Sequence, residues 1–338
     1  MQTKFDDENT AANRIAVKTK LEEIFLPYTR RRRNQISRTP DTRCAKFVHY
    51  TSAEAAIKII AQKCLWLRST TCMADYREVQ HGFEFLQRFF SVKENEQSFN
   101  RAVDLFAPGA AAEAIKLFNQ HWSAGSIALR TFIASVSEHD SSEDFHGRLS
   151  MWRAFGGNTA RVGLVFNVPE HSDGGDAMRL AFCPVAYFNN EEAHRLIREV
   201  INLFTINADF LKTIDAMEIR NWIFSMLLVN VAAVKHEGFR EEREWRIIHS
   251  PELYPSELIR ASTEIIGGVP QPVYKLPLDK AIDPRLEDMD FAKLFDRLII
   301  GPSPFPFAMV DAFAEALAKI GVVDAMKKIC VSGIPIRS

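Results

Sequence analysis

The sequence lacks the features that identify several common classes of protein. Its five cysteines are scattered over 338 residues without Cys-x-x-Cys spacing, so they indicate neither a disulfide framework nor a zinc site. No apolar stretch is long enough to span a bilayer, no signal peptide opens the chain, and no Walker loop or Gly-x-Gly-x-x-Gly motif is present. We therefore expect a protein of the reducing cytoplasm that makes no membrane contact.

Charge of one sign is also lacking. The 42 Lys and Arg residues nearly balance the 43 Asp and Glu residues, so the net charge of −1 provides no basic field for nucleic acid over the whole protein. One local run is basic and consists of Arg30, Arg31, Arg32 and Arg33. Such a run suits contact with nucleic-acid phosphates, and it equally suits a solvated helix face or tail, so both interpretations stay open.

The segments that are present predict an α+β protein. At 47% hydrophobic residues the chain can bury a substantial core, and its short apolar strands alternate irregularly with helices. Residues 1–44 are predicted to form an N-terminal helix and a basic segment, and residues 45–338 a single α+β, catalytic-like domain. Stretches near 78–121 and 191–234 have helical spacing and are predicted as helical insertions. The later core strands are predicted at 132–136, 161–166, 181–187, 244–248, 273–276, 298–300 and 328–331.

Three short segments mix ionisable side chains with large apolar ones, which a core alone does not require. The first begins with a predicted strand at 46–51, followed by an amphipathic helix at 53–63 with Ser52 as its N-cap and by a strand at 64–67. His49 lies at the end of a strand that leads into a helix N-terminus, a region suited to anions and ribose hydroxyls. The alternative is a histidine that only bonds a backbone carbonyl.

The second segment, residues 150–156, places Trp152 and Arg153 before a Gly-Gly turn. This position predicts that Trp152 lines a cleft, where its ring would contact a cationic nicotinamide by stacking and cation–π attraction. The alternative for Trp152 is a core aromatic that caps the sheet. By contrast, Trp245 in the third segment is predicted to point into the core.

The third segment, residues 239–249, is predicted to be a strand whose side chains alternate between two faces. Glu242, Glu244 and Arg246 then share one face. Two carboxylates two residues apart on a strand lie about 7 Å apart, and such a pair is a common device at acid/base sites because each charge raises the proton affinity of the other. The alternative is a solvated face on which arginines of the same segment neutralise the glutamates.

Five blocks of sequence carry a resemblance to a known family. They are His-Tyr-Thr-Ser at 49–52 with Leu-Trp-Leu at 65–67, Met-Ala-Asp-Tyr-Arg-Glu at 73–78, Trp-Arg-Ala-Phe-Gly at 152–156 with Gly-Leu-Val-Phe at 163–166, Glu-Arg-Glu-Trp-Arg at 242–246, and Ile-Ile-Gly-Pro at 299–302 with Ser-Gly-Ile-Pro-Ile-Arg at 332–337. In this order they resemble domain-of-unknown-function family 2971, a bacterial family often found among phage-defence genes, from about residue 45 to the C-terminus. The family usually has Asn before Asp75, whereas this chain has Ala74, so any role of that Asn is absent.

The layout also resembles the ADP-ribosyltransferase fold, which implies a split mixed or antiparallel β-sheet core with helical insertions. In that superfamily a His holds a ribose of NAD, an aromatic or Ser residue contacts the nicotinamide, and a Glu engages the nicotinamide ribose. By this resemblance His49 takes the first role and Glu244 the last, and Glu242 completes a Glu-x-Glu pattern. The cofactor-binding candidates between them are Tyr50, Thr51, Ser150, Trp152, Arg153 and Phe155, with Arg153 as the expected partner of the pyrophosphate.

The two resemblances imply an NAD-consuming effector in bacterial antiphage defence or toxin activity, either an ADP-ribosyltransferase or an NAD glycohydrolase. NAD is then a substrate and no metal is expected. Cleavage of the bond between nicotinamide and ribose passes through an oxocarbenium-like state, so a carboxylate such as Glu244 would stabilise the transition state more than the ground state. The acceptor stays open between protein, nucleic acid and water, and partner defence proteins are also expected.

Two other functions stay open. A metal-dependent nuclease-like or nucleic-acid-binding effector would combine the run of arginines with carboxylates around a metal ion, namely Asp75, Glu78, Glu242 and Glu244. A non-catalytic sensor would keep the fold and bind a nucleotide or a phage protein. Metal dependence separates the nuclease from the transferase, and turnover separates both from the sensor.

Overall fold

A computed structural model gives the structure of the chain and describes residues 2–36, 44–72, 78–154 and 160–335. The side chains of residues 2–12, Glu78 and Ala154 are not part of this description. Among the positions considered above, Ala74, Asp75 and Phe155 lie outside the described residues, as do the rest of 73–77, the Gly-Gly turn and residues 336–337.

The helices, with short 3₁₀ turns between some of them, run as follows in chain order. They are α1 Gln2–Phe25, α2 Pro27–Gln35, α3 Ala53–Gln62, α4 Glu78–Phe90, α5 Lys93–Asp104, α6 Ala110–Ser123, α7 Ser126–Arg130, α8 Leu149–Ala154, α9 Asp173–Ala177, α10 Asn190–Ile206, α11 Ala208–Leu211, α12 Ala216–Ala232, α13 Phe291–Leu294 and α14 Pro306–Lys319. None of these described helices combines the length and the apolar character needed to cross a membrane.

The strands alternate with these helices irregularly. They are β1 Ala45–Ser52, β2 Cys64–Ser69, β3 Phe132–Glu138, β4 Arg161–Val168, β5 Ala181–Pro184, β6 Ala186–Tyr187, β7 Val234–Lys235, β8 Glu244–His249, β9 Arg260–Ile266, β10 Val269–Pro277, β11 Phe295–Ile300 and β12 Ile329–Val331. Apart from the short pair β6 and β7, they form one open sheet that is antiparallel except between β11 and β12. The predicted α+β class is confirmed.

The chain divides into two compact units. The helical unit comprises Met1–Gln35, Asp75–Ala128 and Ala186–Glu237, and the sheet unit comprises Ile36–Ala74, Leu129–Val185 and Gly238–Ser338. The N-terminal segment and the two helical stretches recognised in the sequence therefore fall together in the helical unit.

The helical unit has an aromatic core and close helix packing. Phe25, at the end of α1, contacts Phe204 of α10 with ring centroids 4.9 Å apart. A Cβ on Gly82 of α4 would lie 2.5 Å from the backbone oxygen of Val231 in α12. Only glycine permits two helix backbones to approach this closely.

The sheet unit is built around β3 and divides into two arms. β3 pairs with β8 from Phe132 to Ser137. On its other edge it pairs with β2 at one end, where Ile133 lies opposite Arg68, and with β1 at the other, where Ser137 lies opposite Val48. One arm continues from β1 into β4, β11 and β12, and the other from β2 into β10 and β9. We call this arrangement the fork.

The two faces of the fork differ in chemistry. One face packs a large apolar core against α3 and α14, with Leu67, Leu164 and Leu298 fully buried. On the opposite face, which we call the site face, Val48, Ser137 and Glu244 lie side by side on β1, β3 and β8 because directly paired residues point to the same side. Buried polar side chains therefore concentrate on the site face.

The local structure around β1 follows the sequence closely. The predicted order of strand, helix and strand is confirmed as β1, α3 and β2. The hydroxyl of Ser52 accepts a hydrogen bond from the Ala55 N–H at 3.2 Å, which confirms Ser52 as the N-cap. Lys63 ends α3 in the left-handed region at φ 44°. This short connection leads the chain from one arm of the fork to the other.

Candidate functional site

Glu244 and Arg246 form a buried ion pair on the site face. Glu244 is 5% exposed and Arg246 is 1% exposed. The Arg246 Nε donates to Oε1 of Glu244 at 2.9 Å and its Nη2 donates to Oε2 at 3.1 Å. Side chains two residues apart on a strand face the same way, so the sequence Glu-Trp-Arg places acid and base together. The planar guanidinium thereby fixes the orientation of the carboxylate.

Ser135 links Glu244 to the first arm of the fork. It lies opposite Arg246 in the β3–β8 pair, and its hydroxyl donates a short hydrogen bond to Oε1 of Glu244. Its backbone oxygen lies 2.9 Å from Nδ1 of His49. We call His49, Ser135, Glu244 and Arg246 the site cluster.

Sequence reasoning predicted the strand that contains Ser135 but not the residue itself. Ser135 and Ser137 alternate with apolar residues in an otherwise hydrophobic strand. That alternation is the signal that could have identified a polar face, since a strand buried on both faces has no need of hydroxyls.

His49 lies where the β1 arm leaves β3. β1 pairs with β3 through Phe47 and Val48, and His49 is the next residue. Its ring is half-buried, and burial lowers its pKa below 6.5 although the Ser135 carbonyl raises it in part, so the ring is neutral at pH 7. A carbonyl only accepts, so Nδ1 carries the proton and Nε2 is an acceptor. In the described part of the chain, Nε2 has no hydrogen-bond partner.

The turn before Glu244 corrects the predicted spacing of the two glutamates. Glu237–Glu242 is a 3₁₀ helix, Arg243 has a left-handed φ of 45°, and β8 begins at Glu244. Glu242 therefore lies outside the strand, and the predicted shared face of Glu242, Glu244 and Arg246 was wrong for Glu242. The prediction that Trp245 points into the core is confirmed, because Trp245 is 1% exposed.

Arg148 holds this turn in place. Its Nη1 donates to the backbone oxygens of Glu241 and Glu242, at 3.2 and 2.9 Å, and its Nη2 donates to that of Glu138 at 2.7 Å. Its Nε and Nη2 also bond both carboxylate oxygens of Glu143. These bonds use all five N–H groups of the guanidinium.

Arg243 completes the same network. Its guanidinium contacts Asp140 through Nη1 and donates to Glu143 through Nη2 at 2.7 Å. We call Arg148, Glu143, Arg243 and Asp140 the turn clamp. Sequence reasoning missed the role of Arg148, because three of its partners are backbone oxygens that carry no sequence signal.

Tyr50 and Trp152 lie in a packed cluster. The Tyr50 hydroxyl accepts a hydrogen bond from the Arg148 backbone N–H at 2.8 Å, and burial raises the pKa of Tyr50 to about 12. Trp152 is 5% exposed, meets Tyr50 edge to face at 4.8 Å, and donates from Nε1 to the His146 oxygen. A Cβ on Gly301 would lie 2.9 Å from the Trp152 ring. Trp152 is thus a core residue, and the expected exposed cleft wall is not seen at this position.

The other sequence candidates are scattered around this cluster. Ser150 is half-buried in α8, and its hydroxyl is buried without a hydrogen-bond partner among the described residues. Arg153 is exposed near the end of α8, and Thr51 is half-buried on β1. Phe155 lies outside the described residues. Ser135 therefore contacts both His49 and Glu244, through its carbonyl and its hydroxyl, although His49 lies opposite Leu164 on the apolar-core face and Glu244 lies on the site face. Arg153 differs from both because its side chain is exposed.

The nuclease alternative depends on residues that are only partly described. Asp75 and the side chain of Glu78 lie outside the description, and the described residues contain no group of three or more His, Cys, Asp and Glu side chains placed for a metal ion. The run of arginines in α2 lies near carboxylates of its own unit. Its ion pairs are Arg30 with Glu23, Arg31 with Glu199 and Arg33 with Glu22.

Comparison with known proteins gives one match. The family described as "Protein of unknown function (DUF2971)" matches residues 151–247. No curated protein and no solved structure gives a significant match. The DUF2971 match begins in α8 and ends in β8, so it contains Trp152, Glu244 and Arg246, whereas His49 and Ser135 lie outside it. The first, second and last of the five sequence blocks also lie outside the matched range.

Proposed function

We propose that the sheet unit binds NAD and cleaves the bond between nicotinamide and ribose, as an ADP-ribosyltransferase-like enzyme. The observation that carries the proposal is the double role of Ser135, which contacts His49 through its carbonyl and Glu244 through its hydroxyl. A neutral imidazole, whose second nitrogen has no partner among the described residues, and an oriented carboxylate thus contact the same residue of β3 from opposite faces of the sheet. The fork, with β1 and β2 leaving β3, supports the resemblance to the split sheet of that fold.

Each member of the site cluster has a chemical task in this proposal. Nε2 of His49 accepts a hydrogen bond from a ribose hydroxyl. When the bond between the nicotinamide nitrogen and C1′ breaks, its electron pair leaves with nicotinamide and positive charge develops on the ribose. Glu244 stabilises that charge, and Arg246 and Ser135 keep its carboxylate in place. A hydroxyl of the acceptor or of water then adds to C1′ and loses its proton.

The biological role we propose is that of an NAD-consuming effector in bacterial defence or toxicity. It rests on the family resemblance of the sequence blocks together with the chemistry above. NAD loss or modification of a cellular target would both harm the host cell. The acceptor, and partner proteins that control the activity, belong to the same proposal.

The test is a turnover assay with a matched pair of variants. The parent protein, Glu244→Gln and Glu242→Gln are incubated with adenine-labelled NAD, a cell lysate and EDTA, and both free nicotinamide and label on macromolecules are measured. We expect Glu244→Gln to lose about 10² to 10³-fold in rate, as for removal of one electrostatic stabiliser, and Glu242→Gln to stay active because Glu242 lies in the turn.

Folding is controlled in the same experiment. Glu244 belongs to a buried pair, so circular dichroism at the assay temperature measures the folded fraction of each variant. Ser135→Ala provides a second, milder change at the same carboxylate. A parent protein that is toxic on expression yet releases no nicotinamide and transfers no label would overturn the proposal. Full activity of folded Glu244→Gln would also overturn it.

A further inference from the structure

Arg68 of β2 lies on the site face in a fixed orientation. It is half-buried and lies opposite Ile133 of β3. Its Nε and Nη2 donate to Oε1 of Gln271 at 3.2 and 2.9 Å, and Nη2 also donates to the backbone oxygen of Cys72 at 2.9 Å. Gln271 is itself buried, and its amide donates to the Ile266 oxygen at 3.3 Å. The guanidinium is therefore held in place by neutral acceptors.

None of these partners carries a negative charge. Within the described ranges no carboxylate contacts Arg68, and its Nη1 has no hydrogen-bond partner. Burial lowers the pKa of Arg68, because desolvation penalises its charged form. Other arginines of the sheet unit differ in this respect, since each contacts a carboxylate: Arg148, Arg243, Arg246 and Arg297.

A second arginine lacks a carboxylate but is not oriented in the same way. Burial also lowers the pKa of Arg161 in β4, and its buried Nε has no partner among the described residues. Arg68, by contrast, has three hydrogen bonds that fix its plane and aim the free Nη1 edge. A prepared donor of this kind suits an anionic ligand, since a guanidinium matches the geometry of phosphate oxygens.

The register places Arg68 at a useful distance from the site cluster. Because Arg68 is opposite Ile133, Ser135 is its diagonal neighbour on the same face of the fork. Side chains in that relation are about 7 to 8 Å apart. A ribose held beside Ser135 and Glu244 on the site face would thus have its 5′-phosphate within reach of the long Arg68 side chain.

We propose that Arg68 binds a phosphate of a pyrophosphate-containing nucleotide through its free Nη1 edge, with Gln271 and the Cys72 carbonyl as positioning groups. The choice of a dinucleotide rests on the proposed function. The sequence motif suggested Arg153 as the partner of the pyrophosphate, and we propose Arg68 in its place. Arg153 is exposed, so water already solvates its charge, whereas Arg68 gains a counter-charge when the ligand binds.

Calorimetry with ADP-ribose and with inorganic pyrophosphate tests this site directly, because both ligands carry the phosphates and neither can release nicotinamide. Arg68→Gln should weaken both ligands at least about tenfold, the effect of losing one charge-assisted hydrogen bond. Gln271→Leu keeps the charge of Arg68 but removes the side chain that orients it. We therefore expect a smaller loss of affinity for both ligands than in Arg68→Gln. Arg285→Gln is the matched control, because Arg285 is an exposed arginine paired with Asp283.

Several results would overturn the phosphate site. Parent-like affinity of folded Arg68→Gln would do so, and so would a loss in Arg153→Gln that Arg68→Gln does not show. If Arg68→Gln does not fold, unchanged affinity of Gln271→Leu contradicts the proposal instead. A parent protein that binds neither ligand overturns it as well.

The phosphate site and the proposed function can fail separately. Binding of pyrophosphate that depends on Arg68, in a protein that releases no nicotinamide, would remove the NAD-cleaving activity and leave the phosphate site intact. If Arg68→Gln changes neither nicotinamide release nor the affinity for ADP-ribose, the phosphate site would be removed and the NAD-cleaving activity would stand.

Discussion

Arg148 and Arg68 are both arginines of the sheet unit removed at least partly from solvent, and they use their hydrogen-bonding capacity in opposite ways. Arg148 donates all five of its N–H groups to protein acceptors and pairs with Glu143. Arg68 has three bonds to neutral acceptors and an unused Nη1 edge in the described part of the chain. A buried guanidinium whose N–H groups all bond protein acceptors stabilises the fold. A guanidinium that is held in place but has an N–H group without a protein acceptor can still donate to a ligand.

The same contrast separates the turn clamp from the site cluster. In the turn clamp, Glu143 bridges Arg148 and Arg243, and the network ties the turn before β8 to the end of β3. In the site cluster, His49 keeps a neutral acceptor nitrogen without a described partner. The turn clamp therefore fixes the position of Glu244 at the start of β8. The site cluster and Arg68 provide the groups that can bind a substrate.

The largest effect on stability is expected from Arg148→Met. This change leaves Glu143 and three backbone oxygens without their donor in a site that is 8% exposed. Removing one partner of a buried pair typically costs about 3 to 5 kcal/mol of unfolding free energy, which urea denaturation measures. Arg285→Met, which breaks an exposed pair, is the control and should not shift the urea midpoint. A loss below about 1 kcal/mol would contradict a structural role for Arg148.

Ser135→Ala sharpens the comparison inside the site cluster. Loss of a hydrogen bond to a charged group should cost about 1.5 to 3 kcal/mol in urea denaturation and should also reduce nicotinamide release. Ser137→Ala is the control, because Ser137 is a serine on the same strand face and is more buried than Ser135. Equal effects of the two substitutions would show that Ser135 has no special role at Glu244.

The sequence predicts those features of the structure that depend on residues close together in the chain. β1, α3, β2 and the Ser52 cap follow from periodicity and capping over about twenty residues, and all are confirmed. The fork does not follow from such patterns, because it depends on how β3 divides its edge between two strands that lie far away in the sequence. The resemblance alone suggested His49 and Glu244 as partners, and no local pattern predicted that both would contact Ser135.

The misplaced Glu242 shows a second limit. The alternation of charges from 239 to 249 predicts one strand, but Arg243 is in the left-handed region, which a non-glycine residue adopts only a few per cent of the time. Its conformation is stabilised by Asp140 and Glu143, about a hundred residues away in sequence. Arg148 and Arg68 were missed for the same reason, since their roles depend on partners that no local pattern reveals.

Gly301→Ala tests whether Trp152 is a core residue. The added Cβ would lie 2.9 Å from two ring carbons of Trp152 and 3.1 Å from the Arg161 oxygen. Overpacking of this kind should cost about 1 to 3 kcal/mol. Trp152→Phe, which makes room, should offset part of the loss in a double-mutant cycle. If the two changes are additive, the ring does not occupy the space beside Gly301.

A further effect concerns pH. Burial lowers the pKa of His249 from 6.5 to about 4. The unfolded chain therefore takes up a proton below about pH 6.5 that the folded chain takes up only near pH 4, so this stability is present above pH 6.5 and is lost as the pH falls towards 4. His249→Gln should make the decline in melting temperature over that interval less steep. Identical slopes for parent and variant would contradict the shifted pKa.

The central claim is that the fork keeps unused polar groups for a nucleotide where β1 and β2 leave β3, and the ring of His49 reports on it most directly. Long-range ¹H–¹⁵N spectra of ¹⁵N-histidine-labelled protein, with and without NAD and assigned with His49→Gln, show which nitrogen carries the proton. We predict a neutral ring at pH 7 with the proton on Nδ1, and a shift of the Nε2 resonance when NAD is added. A proton on Nε2, or an Nε2 resonance that does not respond to saturating NAD, would contradict the account.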